Sequence, residues 1–175
     1  FKGTGVALIT PFHEDHRIDF DSLKRLIDHV VSGGVDYLVV LGTTGESATL
    51  TSAEKKQVLK ACLEYNDGRV PVMLGIGGNN TQAVLDEIES TDFYGVAAVL
   101  SVSPYYNKPS QAGIIAHYTA VADASPAPVV LYNIPGRTMS NMTAATTLTL
   151  SHHPNIIGMK EASGNLEQCM QIAAA

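Results

Sequence analysis

Residues 6–12 read Val6-Ala7-Leu8-Ile9-Thr10-Pro11-Phe12, an apolar, β-branched run closed by a hydroxyl and a proline. The run is a strand candidate from Val6 to Thr10, and the residues after it separate two architectures. A doubly wound sheet places a glycine-rich phosphate turn after its first strand. Here Thr10-Pro11-Phe12 stands in that position instead. Working outward, five more such runs occur, at Tyr37 to Leu41, Val72 to Gly75, Val96 to Val102, Val129 to Tyr132 and Ile156 to Lys160. They recur roughly every 30 residues, the length of a βα repeat. All six read as buried on both faces, as in a parallel sheet covered by helices. The helix candidates between them lie at about 20–31, 51–65, 80–90, 110–123 and 142–150, with a sixth from near Asn165. Thr51 precedes Glu54 with capping-box spacing, and Thr143 and Asn165 sit at plausible N-caps.

A (β/α)8 TIM barrel distributes its chemistry over many strand ends, and polar motifs follow five of these strands. The expected fold is therefore α/β, with this chain covering about the first six βα units. A barrel needs eight units in roughly 250 residues, so residues 1–175 read as one incomplete barrel domain lacking the last two units. Phe1 at the start and Ala173-Ala174-Ala175 inside a helix pattern fit that expectation.

Composition narrows the function. The content is 45% hydrophobic and only 16% charged, enough for a sizeable core and low enough in charge to favour a covered surface in an oligomer. A net charge of -6 disfavours nucleic acid, which needs clustered Lys and Arg. No apolar run approaches the ~18 residues of a membrane span, and no signal-like segment opens the chain, so a cytoplasmic protein is expected. Cys62 and Cys169 read as separate reduced thiols. His13, His16, His152 and His153 lack a supporting Cys or carboxylate frame, so no metal is expected.

Seven lysines are present, but only Lys160 closes an apolar strand, Ile156-Ile157-Gly158-Met159-Lys160. A lysine at such a position suits Schiff-base chemistry; the rival reading is a strand-end amine emerging into solvent. Period-two alternation puts Ile156, Gly158 and Lys160 on one face and Glu161 on the other. After the second strand, Gly42-Thr43-Thr44-Gly45-Glu46 offers turn amides and two hydroxyls to a carboxylate or phosphate, or is an ordinary strand-to-helix turn. Gly75-Ile76-Gly77-Gly78-Asn79-Asn80 lacks GxGxxG spacing and reads mainly as a turn. Tyr105-Tyr106 and Tyr132 could move protons or simply line a sheet rim. Arg137 follows a Pro-Gly turn, where it would clamp a carboxylate or face solvent.

Taken together, Gly42-Thr43-Thr44-Gly45-Glu46, Tyr105-Tyr106-Asn107-Lys108-Pro109, Tyr132-Asn133-Ile134-Pro135-Gly136-Arg137-Thr138 and Gly158-Met159-Lys160-Glu161-Ala162-Ser163-Gly164 resemble the motifs of the dihydrodipicolinate synthase family. That family stands with N-acetylneuraminate lyase and the 2-keto-3-deoxy sugar-acid aldolases among the class I pyruvate aldolases. The resemblance implies a lyase that joins pyruvate to L-aspartate semialdehyde, giving 4-hydroxy-tetrahydrodipicolinate on the route to diaminopimelate and lysine. It implies that Lys160 forms the imine, Tyr132 transfers protons, and Thr43 and Tyr106 complete a hydroxyl relay, with Tyr106 lent by a neighbouring subunit of a homotetramer or dimer. Thr44 with Gly42 and Gly45 would hold the pyruvate carboxylate, and Arg137 the carboxylate of the second substrate. No cofactor is implied, because the protonated imine is the electron sink. Ser47, Ala48, Asn79 and Tyr105 match a lysine-binding regulatory site, but Ala83, Ser52 and Lys55 depart from its pattern, so feedback by lysine is expected to be weak. The family's C-terminal helical region has no counterpart in these residues. Two alternatives remain: a related sugar-acid aldolase, and a non-catalytic keto-acid-binding barrel.

Overall fold

A computed structural model describes residues 1–175. Six strands form one sheet in sequence order, β1 (Gly5–Ala7), β2 (Tyr37–Val40), β3 (Val72–Gly75), β4 (Val96–Val102), β5 (Val129–Asn133) and β6 (Ile156–Glu161). The strand pairs are parallel and helices alternate with them, which is the order of the first six units of a (β/α)8 barrel. The helices are α1 (Phe20–Ser32), α2 (Ser52–Asn66), α3 (Thr81–Glu89), α4 (Gln111–Ala124), α5 (Pro135–Thr138), α6 (Ala144–Ser151) and α7 (Leu166–Ala173).

Helix starts follow local chemistry. Thr51 and Glu54 form the reciprocal capping box, and Asp19, Asn80, Ser110, Thr143 and Asn165 each accept a backbone N–H of the first turn. Each cap satisfies an otherwise orphan donor, worth typically ~1 kcal/mol.

The chain divides into two compact units. The first comprises Phe1–Gly75 and Phe93–Ala98. Its core gathers Leu38 and Val40 of β2, Val72 and Leu74 of β3, Leu23 and Ile27 of α1, and Val58 of α2, all nearly excluded from solvent. Full burial of each such side chain contributes about 1.5–3 kcal/mol. The second unit comprises Ile76–Asp92 and Val99–Ala175. Val99, Val129 and Leu131 of its strands are buried there with Ile114, Tyr118 and Val121 of α4. The Tyr118 hydroxyl donates to the Ser101 carbonyl at 2.8 Å, and burial pushes that phenol's pKa up.

The structure corrects four expectations. β1 ends at Ala7 rather than Thr10: Leu8 still donates to Val39, but Thr10 turns its hydroxyl to the Gly45 carbonyl at 2.7 Å. The Pro-Gly turn before Arg137 is the single helical turn α5, and two 3-10 turns, Thr43–Gly45 and Ser47–Thr49, precede α2. Neither β1 nor β6 is buried on both faces: no residue of β1 is buried and in β6 only Ile156 is, these being the two end strands of the sheet. Lastly, the pairing of β5 with β6 shifts register, from Val129↔Ile156 to Val130↔Gly158, leaving Ile157 without a partner. Ile156 therefore lies with Val129 on the helix-covered face, while Gly158 and Lys160 lie on the other.

Candidate functional site

Beyond the register shift, β5 and β6 run in step, with Tyr132 opposite Lys160 and Asn133 opposite Glu161. In-register partners of a parallel pair point to the same side. Lys160 Nζ accordingly stands over the Tyr132 ring, 4.4 Å from its centroid. The ring is 6% exposed, whereas Lys160 is exposed. A cation in that position is attracted by the ring's negative face. The space beside the amine is open, since a Cβ added at Gly158 would meet nothing within 4 Å.

The opposite face of the same two strand ends carries a polar network that the sequence reading missed. Asn133, fully buried, donates through Nδ2 to Glu161 Oε2 at 3.0 Å and accepts the Met142 N–H at 3.0 Å. Glu161 also accepts from Gln168 Nε2 at 2.8 Å and from the Ser163 N–H at 2.6 Å. Burial pushes the Glu161 carboxyl up, but the hydrogen bonds from Asn133, Ser163 and Gln168 together outweigh it and hold the carboxyl below its usual range. The signal was present in outline, because each expected catalytic residue is followed by a polar one of opposite parity, Tyr132 by Asn133 and Lys160 by Glu161.

Two further expected residues sit on loops of this unit. Tyr106 follows β4, is 81% exposed and adopts a left-handed conformation at φ 71°. Its N–H donates to the Thr138 carbonyl at 3.2 Å, which ties its loop to α5, the element that carries the exposed Arg137. Lys108 and Met139, in the same two loops, also have positive φ. Such backbone is costly for non-glycine residues and concentrates at functional loops. Tyr105 is 39% exposed, and Asn79 is exposed just before the cap of α3.

The Gly42–Glu46 turn belongs to the first unit. It is a 3-10 turn closed by Gly45 N–H to Gly42 O at 3.0 Å and Glu46 N–H to Thr43 O at 3.1 Å. Leu41 and Glu46 flank it in left-handed conformations, φ 57° and 54°. Gly45 is buried where a Cβ would come within 3.2 Å of the Leu8 carbonyl, and Thr43 and Thr44 are exposed. Ser47 and Ala48 form the next 3-10 turn.

Comparison with known proteins gives concordant matches. The model of the dihydrodipicolinate synthetase family matches residues 1–175. The 4-hydroxy-tetrahydrodipicolinate synthases of Cytophaga hutchinsonii and Flavobacterium psychrophilum are each 56% identical, over 172 and 173 residues. Those alignments cover 98% of this chain but 58% and 59% of the relatives, so the chain spans well under two thirds of their length. Among solved structures, the dihydrodipicolinate synthase of Aquifex aeolicus superposes with a TM-score of 0.94 at 38% identity, over 99% of this chain and 59% of that one. A structure described as a monomeric dihydrodipicolinate synthase variant gives a TM-score of 0.95 at 36% identity, again over 99% of this chain, and 58% of that one.

Proposed function

Because the chain belongs to the dihydrodipicolinate synthetase family, we propose that it supplies the imine-forming strands of a lyase that condenses pyruvate with L-aspartate semialdehyde to 4-hydroxy-tetrahydrodipicolinate. The observation that carries the reading is the Lys160 amine 4.4 Å from the Tyr132 ring centroid on adjacent strand ends.

In this reading the neutral Lys160 amine attacks the pyruvate carbonyl carbon, and the resulting hydroxyl takes a proton through Tyr132 and leaves as water, giving a protonated imine. The ring face that attracts an ammonium attracts that cation equally. Loss of a methyl proton then gives an enamine, whose carbon attacks the aldehyde of the second substrate. Cyclisation by the substrate's own amine returns the lysine. Tyr132 relays protons, with Thr43 and Tyr106 as further hydroxyls, and Tyr106 is offered across a subunit contact in a homotetramer or dimer. Its 81% exposure on a strained loop supports that role. Thr44 and the turn amides of Gly42 and Gly45 receive the pyruvate carboxylate, and Arg137 that of the semialdehyde. Catalysis requires no cofactor or metal, and the protein works in the cytoplasm; no helix is long and apolar enough to cross a membrane. Residues 1–175 form one incomplete barrel domain in this proposal. Ser47, Ala48, Asn79 and Tyr105 contribute at most weak lysine feedback, since Ala83 offers no carboxylate to the ligand's ammonium.

Borohydride reduction of the complete gene product with pyruvate is expected to leave one adduct, at Lys160, with turnover when the semialdehyde replaces the reductant. Mapping of the adduct to another lysine overturns the assignment. Adduct formation without condensation favours a keto-acid-binding barrel instead, and turnover that survives Arg137→Ala favours a sugar-acid aldolase.

A further inference from the structure

We propose that Glu161 is a positioning residue: its carboxylate, held by Asn133, fastens β6 to β5 at the point where Lys160 must face Tyr132. The inference rests on the reading of Lys160 as the imine-forming residue and adds a second, hidden face to the same strand ends.

Lys160 lies near the end of β6, and the ladder to β5 sets which face its amine takes. A slip of one residue in that ladder would turn every side chain to the opposite face. The register has already shifted once on this strand, at Ile156–Gly158. From Gly158 onward it has to be held. The backbone contributes the Ala162 N–H to Asn133 carbonyl bond at 2.9 Å. The side chains add the 3.0 Å bond from Asn133 Nδ2 to Glu161 Oε2, which joins the residue after Tyr132 to the residue after Lys160. This bond can form only in the register that also pairs Tyr132 with Lys160.

The chemistry of position 161 is specific. Three donors converge on it, Asn133 Nδ2, Gln168 Nε2 and the Ser163 N–H, and all three are neutral. A carboxylate accepts from all of them, whereas a glutamine would aim its own NH2 at one. Gln168 is itself buried on α7 and is joined to Asn141, which also accepts from Asn133 Nδ2 at 2.8 Å. The network therefore anchors β6 to β5, to α7 and to the segment before α6.

The test uses the complete gene product, with pyruvate and cyanoborohydride under single-turnover conditions. Glu161→Gln is expected to lower the limiting rate of adduct formation at Lys160 by about 10- to 100-fold, as a displacement of ~1 Å does, with little change in half-saturating pyruvate. The double variant Asn133→Asp/Glu161→Gln reverses the polarity of the bond and is expected to recover most of the lost rate. A parental rate in Glu161→Gln, a loss confined to half-saturation, or a double variant no faster than the single one would overturn the proposal. Should Glu161→Gln fail to fold, Gln168→Met, which removes one donor, decides by the same split, and a parental rate there overturns it. If the parent traps no pyruvate, the functional reading fails separately. The nuclear Overhauser contact between the Lys160 side chain and the Tyr132 ring then judges positioning: it should weaken in the single variant and return in the double, and its persistence in the single variant overturns the proposal.

Discussion

Cys62 is 1% exposed, and burial pushes its thiol up to about 12. The thiolate is the reactive form, so this cysteine is both shielded and protonated at neutral pH. Because the folded value lies above the unfolded one of roughly 8.5, its contribution to stability is complete below that pH and is lost as pH rises towards 12. Native alkylation at pH 8 is therefore expected to label only Cys169, which is partly exposed, and to reach Cys62 after denaturation. Two labels on the native protein by mass spectrometry would contradict this. The same contrast between exposed and hidden chemistry governs what could be read at Lys160. The lysine was legible because it alone closes an apolar strand. Its partner Tyr132 was legible as a strand-end tyrosine, but the 4.4 Å approach depends on a pairing no local pattern encodes. Glu161 was assigned the correct opposite face, yet what it meets there is set by the docking of α7, through Gln168.

Gly75 closes β3 where a Cβ would collide with the Leu41 carbonyl, so β3 can approach the end of β2 only without a side chain there. Leu41 leads directly into the Gly42–Glu46 turn, which makes this close approach part of how the turn is seated. Gly75→Ala is expected to destabilise the protein by about 1–3 kcal/mol, the usual cost of overpacking, measured by urea denaturation. Gly158→Ala, facing open space, serves as the contrast and should not destabilise it. Equal losses in both would contradict the assignment. Helix starts were the most legible elements, because capping is a local code: Thr51, Thr143 and Asn165 all cap as their spacing suggests. Strand ends were less so. β1 stops early because Thr10 bonds to Gly45, a residue 35 positions away.

β1 and β6 each pair with one strand, and Ile157, 50% exposed, lies on the latter. On α7, Leu166 and Met170 are 77% and 72% exposed. Unpaired edges carrying apolar side chains template further pairing. The 175-residue chain on its own is therefore expected to self-associate with rising concentration, and Ile157→Lys to reduce this, by sedimentation velocity. A strictly monomeric parent across the micromolar range would contradict it. The barrel order was legible from six apolar runs at even spacing, whereas coverage of β6 was not, because an apolar run reports preference for burial and not the neighbour that provides it. The unpaired Ile157 also gives β6 a point at which chain length can vary. Residues lost or gained ahead of Gly158 are absorbed there, as slack in a line, and the phase of everything after it is kept by the pairs from Val130↔Gly158 to Asn133↔Glu161. Parity counted straight through Ile157 puts Ile156 on the lysine's side; its pairing with Val129 puts it on the other. Drift in the connection before β6 can thus proceed without rotating the amine out of place.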